Sequence, residues 1–174
     1  MIEARIRRQA AYYLGLSELV EARLATSPKY VYATRALEAA WQWMDGQHVT
    51  GETLADLACD EEGFGVVGSM GIEKDRTLLP AWGCVSHAIC FTSFAAYLAD
   101  GKTRNDMVEG IDSADDPSGH EWFLKHFRTA IPLETMLPRY QVALDALPDD
   151  NLTRSVVRDA VFAALHAAAA DSGA

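Results

Sequence analysis

No apolar run in this sequence of 174 residues reaches the roughly 18 residues that a membrane-spanning helix needs. The nearest candidate, residues 88–99, is too short and carries Thr92 and Ser93. Residues 1–8 are charged and show no apolar stretch followed by a small-residue cleavage site, so no secretory signal is visible. From these absences we expect a cytoplasmic protein that does not bind a membrane.

Cysteine is scarce as well, with only Cys59, Cys84 and Cys90 in the chain. An odd number of cysteines without a visible secretory signal is typical of reduced thiols and argues against a disulfide framework. We therefore expect a hydrophobic core to stabilise the fold. The hydrophobic fraction of 49% is ordinary for a globular protein and is sufficient for such a core.

Basic residues are few in the middle of the sequence. Residues 46–121 contain four Lys and Arg side chains against fourteen Asp and Glu, a balance of −10 that equals the net charge of the whole chain. Because phosphate contacts need clustered Lys and Arg, direct nucleic-acid binding is disfavoured. The acidic stretch either keeps the protein soluble or forms a face that attracts a basic partner.

The motifs of common catalytic and metal sites are absent too. The sequence contains no HExxH, no CxxC and no P-loop pattern, and no Glu is followed three positions later by His. Gly63, Gly65 and Gly68 match GxGxxG, but no strand precedes them and no phosphate-binding helix pattern follows directly. His120 and His126 lie six residues apart, on different sides of a predicted helix. We therefore expect no cofactor and no catalytic residue.

Cys84, His87 and Cys90 recur at intervals of three and so share one face of a predicted helix. This spacing could seed a zinc site. No second Cys or His cluster lies near enough in sequence to complete four ligands, and a free Cys in an apolar helix behaves as a small hydrophobic residue. We therefore expect core packing and no bound metal. The alternative is a pocket around Trp82, Cys84 and His87 that serves a helical enzyme or a small-ligand binder.

Apolar residues recur at intervals of three and four along most of the chain, which is typical of amphipathic helices. The pattern predicts helices over about 2–25, 28–45, 50–59, 79–100, 118–130, 132–147 and 150–167, with loops at 60–75 and 101–117. The helix at 79–100 is apolar on nearly every face and should be the most buried one. We predict an all-α fold, a compact bundle of six or seven helices in one domain over 1–174, whose end at 168–174 frays.

Two tryptophans close the predicted second helix. Trp41 falls on its apolar stripe, whereas Trp43 falls about 200° away from Trp41 around the helix axis. Trp41 should therefore lie in the core. An exposed Trp43 would be a candidate anchor for a partner protein.

Three segments resemble a known family: ALEAAWQWM at 36–44, LADLACDEE at 54–62 and AWGCVSHAICFTSFAAY at 81–97. Together they are similar to the sixth numbered immunity-protein family of bacterial polymorphic toxin systems, over about residues 30–130. The resemblance implies an all-α fold and a protein that binds and neutralises a toxin domain in the cytoplasm. It implies no catalytic residues.

Our first hypothesis is therefore a non-enzymatic immunity protein whose partner is a cognate toxin domain, basic in charge, such as a nuclease. A general adaptor protein is a further alternative. Carboxylates on exposed loops can meet Lys and Arg of a partner without first giving up internal partners. The residues that we expect to bind the partner are Asp60, Glu61, Glu62, Asp112, Asp115, Asp116 and Trp43.

Overall fold

The computed structural model describes residues 2–59, 65–133 and 135–171. These residues form eight α-helices and no strand, and 75% of them are helical. The all-α prediction is confirmed, whereas the predicted number of six or seven helices was too low. The helices are α1 (Ile2–Glu21), α2 (Tyr30–Met44), α3 (Gly51–Ala58), α4 (Val66–Ile72), α5 (Leu79–Ala99), α6 (Pro117–Ala130), α7 (Met136–Asp145) and α8 (Arg154–Asp171).

Helix α5 lies at the centre of the fold, as its apolar pattern predicts. Sixteen of its 21 residues are buried, and α1, α2, α3, α4 and α6 all pack against it. By length and composition it is the one described helix that could cross a membrane, yet 89% of that stretch is buried inside the protein, which is typical of a core helix. It begins with Pro80 in its first turn and ends before Gly101, whose φ of +73° favours glycine.

Hydrogen bonds from short polar side chains fasten the neighbouring helices to α5. Ser93 Oγ donates to the carbonyl oxygen of Gly51 in α3 over 2.8 Å, and Ser17 Oγ of α1 donates to the carbonyl oxygen of Cys84 over 3.1 Å. All four residues are buried. Each bond therefore satisfies a polar group that would otherwise be costly in the core.

The turn between α1 and α2 differs from its prediction. Helix α1 continues as a 3₁₀ turn through Thr26, close to the predicted end at residue 25, but α2 begins at Tyr30 and Ser27 does not cap it. The Ser27 hydroxyl instead donates to Glu73 Oε2 over 2.6 Å, and Trp82 Nε1 donates to the same oxygen over 3.2 Å. These hydrogen bonds, led by that of Ser27, lower the pKa of Glu73 and connect this turn with α5.

Helix α4 lies inside the segment 60–75 that the sequence predicted to be a loop, so that prediction was wrong for residues 66–72. Its glycines are poor helix formers, which is why the segment does not look helical by propensity. Val66 and Ser69 are nevertheless buried, and the helix packs on α5. Tertiary packing, and not local propensity, therefore stabilises this short helix.

The starts of the last three helices also need correction. Helix α6 begins at Pro117, one residue before the predicted start, and is capped by Asp116, whose carboxylate accepts the Ser118 N–H over 2.8 Å. Helix α7 begins at Met136 and not at Pro132. Residues 149–151 form a separate 3₁₀ turn, and α8 begins only at Arg154.

The C-terminal helix α8 continues to Asp171, with Ala168 buried and an ion pair between Arg139 and Asp171. Residues 172–174 lie outside the described part. Fraying of the segment 168–174 stays a prediction.

Helices α7 and α8 pack on each other and on α1. They make no extensive contact with α3 or α4. Arg154 connects α8 with two other helices, since its guanidinium pairs with Glu18 over 2.7 Å and with Glu38 over 2.5 Å. Tyr140 of α7 stacks on Tyr12 of α1 with ring centroids 5.3 Å apart. The last two helices are thus attached to α1 by both charge and aromatic packing.

The contact between α3 and α5 gives a test of this packing. A Cβ at Gly51 would lie 2.7 Å from the backbone nitrogen of Tyr97, which cannot move aside as a flexible side chain can. We expect Gly51→Ala to lower the free energy of unfolding by about 1–3 kcal/mol. Urea denaturation measures this. The matched control is Gly71→Ala on α4, where no described atom lies within 4 Å and no loss is expected.

Candidate functional site

The most strongly charged surface of the described chain precedes α6 and includes its first turn. We call residues 105–121 the acidic segment. It carries six carboxylates and no Lys or Arg, namely Asp106, Glu109, Asp112, Asp115, Asp116 and Glu121. All of these side chains are exposed except Asp112, which is half-buried. The segment forms turns, and Gly110 adopts a φ of +89° that favours glycine.

Contacts within the protein hold the acidic segment in place. Ile111 and Ala114 turn inward and are buried. The Arg104 guanidinium pairs with Asp115 over 2.6 Å and also donates to the carbonyl oxygen of Asp112. The segment is therefore an ordered surface whose carboxylates have defined positions.

These contacts change the sequence hypothesis for Asp112, Asp115 and Asp116, which assumed carboxylates without internal partners. Asp112 Oδ1 accepts the Gly110 N–H over 3.1 Å, Asp115 pairs with Arg104, and Asp116 caps α6. Each of these three carboxylates therefore stabilises the protein's own structure in addition to presenting charge at the surface. Asp60, Glu61 and Glu62 lie outside the described residues.

Glu109 and Glu121 were not among the predicted binding residues. Both side chains are exposed. Among the residues that the structure describes, neither makes a hydrogen bond or an ion pair, so both can meet a partner without losing an internal contact. Their signal in the sequence was their place in a stretch without basic residues.

Trp43 lies away from the acidic segment, in a different cleft. It is half-buried between the start of α1, the end of α2 and the end of α5, in a cleft of about 460 Å³. The Arg7 guanidinium carbon lies 5.7 Å from the centroid of its ring. Trp41 is 1% exposed and lies in the core, as predicted.

Two clefts flank the acidic segment. The first, which we call the Tyr13 cleft, has a volume of about 660 Å³ and is lined by Arg5, Ile6, Gln9, Tyr13, Phe91, Asp115, Asp116, Pro117 and His120. The second, which we call the Trp122 groove, has a volume of about 410 Å³ and is lined by Val67, Met70, Ser86, His87, Cys90, Gly110, Ser113, Ala114, Asp116, Ser118, Gly119 and Trp122. Asp116 lies between them and borders both.

The Tyr13 cleft contains a hydrogen bond between Tyr13 Oη and His120 Nδ1 of 2.9 Å. Burial raises the pKa of Tyr13 above its usual range. Burial, with Arg128 nearby, lowers the pKa of His120. Both side chains are therefore mainly neutral at pH 7, and the cleft offers neutral hydrogen-bonding groups beside two carboxylates.

His87 forms the inner wall of the Trp122 groove. Its ring packs edge-on against Tyr13, with centroids 4.5 Å apart. Gly119 allows the approach of α6, because a Cβ there would lie 2.9 Å from His87 Cε1. Burial, with a smaller contribution from His120, lowers the pKa of His87 to about 4. Its Nε2 atom is buried without a hydrogen-bond partner among the described residues.

The structure does not bring Trp82, Cys84 and His87, the residues of the alternative pocket hypothesis, together in any of the described clefts. Trp82 and Cys84 are 0% exposed and line neither of the clefts described above, while His87 alone reaches a groove. Burial raises the pKa of the Cys84 thiol. Within 2–59, 65–133 and 135–171, no group of three or more His, Cys, Asp or Glu side chains could hold a metal ion.

Trp122 is the aromatic residue that sequence reasoning missed. It is 38% exposed, and its ring centroid lies 4.0 Å from that of His126. The sequence contained a signal, because Trp122 falls about 100° from the apolar stripe that Phe123 and Phe127 define on α6.

These features place the protein in the class of small acidic α-helical proteins, with an ordered acidic surface beside two clefts. Within that class the family is shown by sequence comparison. A family model described as "Immunity protein Imm6" matches residues 8–130, more than half of the chain, so the chain belongs to this immunity-protein family of toxin systems. The predicted family resemblance is confirmed. Comparisons with curated proteins and with solved structures gave no match.

The matched residues run from α1 to the end of α6. They include the whole acidic segment and every residue that lines the Trp122 groove. Helices α7 and α8 lie outside the match. The family region therefore coincides with α5, the helices that surround it and the acidic surface.

The buried His87 gives a prediction about pH. Its folded-state pKa is about 4, below the usual 6.5, so the unfolded chain binds more protons between these values. The stability from neutral His87 is thus present above pH 6.5 and is lost as the pH falls towards 4, by up to about 1.4 kcal/mol per pH unit. Urea denaturation at about pH 7 and about pH 5 measures the loss.

His87→Gln should reduce this loss of stability between the two pH values, because the titrating imidazole is gone. The exposed His166→Gln is the matched control and should keep the wild-type difference. An equal pH dependence in wild type and His87→Gln would contradict the prediction.

The thiol of Cys59 should be the most reactive of the three. Cys59 ends α3 and is half-buried, and a hydrogen bond with the Cys90 thiol lowers its pKa to about 7. The same contact and burial raise the pKa of Cys90. Because the thiolate is the nucleophile, iodoacetamide at neutral pH should modify Cys59 first, as a mass-spectrometric time course measures. Cys90→Ala should slow that reaction, and equal rates at Cys59 and Cys84 would show the assignment to be wrong.

Proposed function

We propose that this member of the Imm6 family binds a cognate toxin domain in the cytoplasm and neutralises it by protein–protein contact, without catalysis of its own. Family membership supports the role in a toxin system. The observation that carries the binding mode is the ordered acidic segment inside the matched region.

The charge of the acidic segment favours a basic protein partner. Six carboxylates without a Lys or Arg among residues 105–121 create a negative potential that attracts basic surfaces and repels phosphates. Electrostatic attraction of this kind mainly accelerates association. A toxin domain that itself binds nucleic acid, such as a nuclease, has the basic surface that this segment would cover.

The ordered conformation of the acidic segment also favours binding of a partner. Arg104 holds one side of the segment, the cap of α6 holds the other, and Ile111 is buried between them. A surface that is ordered before binding loses little conformational entropy on association. Glu109 and Glu121 remain available for direct ion pairs with the partner.

Charge reversal of Glu109 and Glu121 to Lys tests the proposal without disturbing the internal contacts of Asp115 and Asp116. Against the cognate toxin domain, inactivated by substitution, we expect association to slow about tenfold at low salt. Stopped-flow kinetics at ionic strengths of about 0.01 M and about 1 M should show the difference shrinking as the Debye length falls from about 30 Å to about 3 Å.

The matched control reverses Asp150 and Asp159, which are exposed at or near the start of α8, outside the family match. It changes the net charge by the same amount and should associate at a rate much closer to wild type. Co-expression with the active toxin adds a biological measurement, in which the reversed acidic segment should protect less well. If both reversed proteins associate equally, the acidic segment only contributes solubility.

A further inference from the structure

The Trp122 groove combines an apolar lining with an acidic border. Val67 and Met70 of α4, Cys90 of α5 and Trp122 of α6 supply apolar surface, and Asp116 stands at its edge. None of its lining residues is Lys or Arg. A groove of this composition suits an apolar side chain that is flanked by positive charge.

Trp122 is the one exposed large hydrophobic side chain of the described residues that lines this groove, and it is 38% exposed. Ile72 on α4 (59% exposed) and Val108 in the acidic segment (43%) belong to elements that form its walls but do not line it. An exposed aromatic side chain beside charge is typical of protein-binding sites.

Trp122 is held in position before any partner binds. Its ring lies against His126, and the His126 Nδ1 atom is 2.8 Å from the Trp122 carbonyl oxygen. Both rings rest on Gly83 of α5, where a Cβ would lie 2.6 Å from His126 Cδ2 and 3.1 Å from Trp122. The absence of a side chain at position 83 therefore lets α6 approach and fixes the tryptophan, which reduces the entropy lost on binding.

We propose that the Trp122 groove is the anchoring site for the toxin domain and takes one apolar side chain from a basic segment of that domain. This inference rests on the proposed function and adds a division of roles to it. The acidic segment attracts the Lys and Arg residues of the partner, and the groove buries the apolar side chain between them. Met70 can adjust its unbranched side chain to the shape of the inserted group.

The two roles predict different kinetics. Charge at the border of an interface acts mainly on association, whereas a buried aromatic anchor acts mainly on dissociation. Trp122→Ala should therefore raise the dissociation rate of the inactivated toxin domain by about 30-fold, the size of a binding hot spot. Its association rate should stay within about threefold of wild type, because no charge has changed.

The matched control for this substitution is Val142→Ala. Val142 is 71% exposed on α7, outside the family match and away from the groove-forming elements. Its dissociation rate should equal that of wild type. Circular dichroism and urea denaturation of both variants establish that each is folded.

Fluorescence quenching supplies a second measurement that needs no destabilising substitution. Trp41 and Trp82 are 1% and 0% exposed, so a charged quencher reaches chiefly Trp122 and, less readily, the half-buried Trp43. Caesium ions should quench Trp122 in the free protein and lose access to it in the complex. Trp122→Phe assigns the signal, and it keeps an aromatic ring in the groove.

The outcomes separate this inference from the proposed function. If wild type binds the toxin domain and charge reversal slows association, but Trp122→Ala dissociates at the wild-type rate or Trp122 stays quenchable in the complex, the anchoring role is wrong and the proposed function stands. If wild type neither binds nor protects, both are wrong. Faster dissociation of Trp122→Ala together with loss of quenching supports the anchoring site.

Discussion

Burial of α5 on all its faces is the constraint on which the rest of the structure depends. A helix of 21 residues with sixteen buried cannot leave a face to water, so other helices must surround it. Helices α1, α2, α3, α4 and α6 do so, and they come close where glycines at 51, 83 and 119 remove a side chain from the contact. Serine hydroxyls donate to backbone carbonyl oxygens where α1 and α3 meet α5.

Burial of α5 also determines where the charged side chains lie. Because α5 and the inner faces of its neighbours are apolar, the acidic residues between positions 100 and 121 lie in the connection that leaves α5 and in the first turn of α6. The buried residues of that connection hold it against the core, so the carboxylates form an ordered surface. The acidic surface is thus built at the edge of the core, where packing of α4, α5 and α6 also creates the Trp122 groove.

Local signals predicted the parts of the fold that local physics controls. The central place of α5 and the bounds of α3 and α5 agree with the predictions, the bounds to within one residue, since the Thr50 cap of α3 and the Gly101 turn after α5 depend on residues close in sequence. Helix α4 was missed because its glycines disfavour a helix until α5 covers it. The starts of α7 and α8 were placed several residues too early, because Pro132 and the acids at 149–150 are helix-start signals that the folded chain uses in turns instead.

The sequence alone determined the all-α class, the central helix, the family and the uneven distribution of charge, because composition and helical periodicity are properties of the chain itself. Only the tertiary structure decided which carboxylates have internal partners, that Cys59 meets Cys90, and that Trp122 and not Trp43 borders a groove beside the acidic segment. The physical reason is distance along the chain. The helical period predicts in which direction a side chain points from the axis of its helix. The residues that it contacts belong to helices dozens of residues away in sequence, and only packing around α5 brings them together.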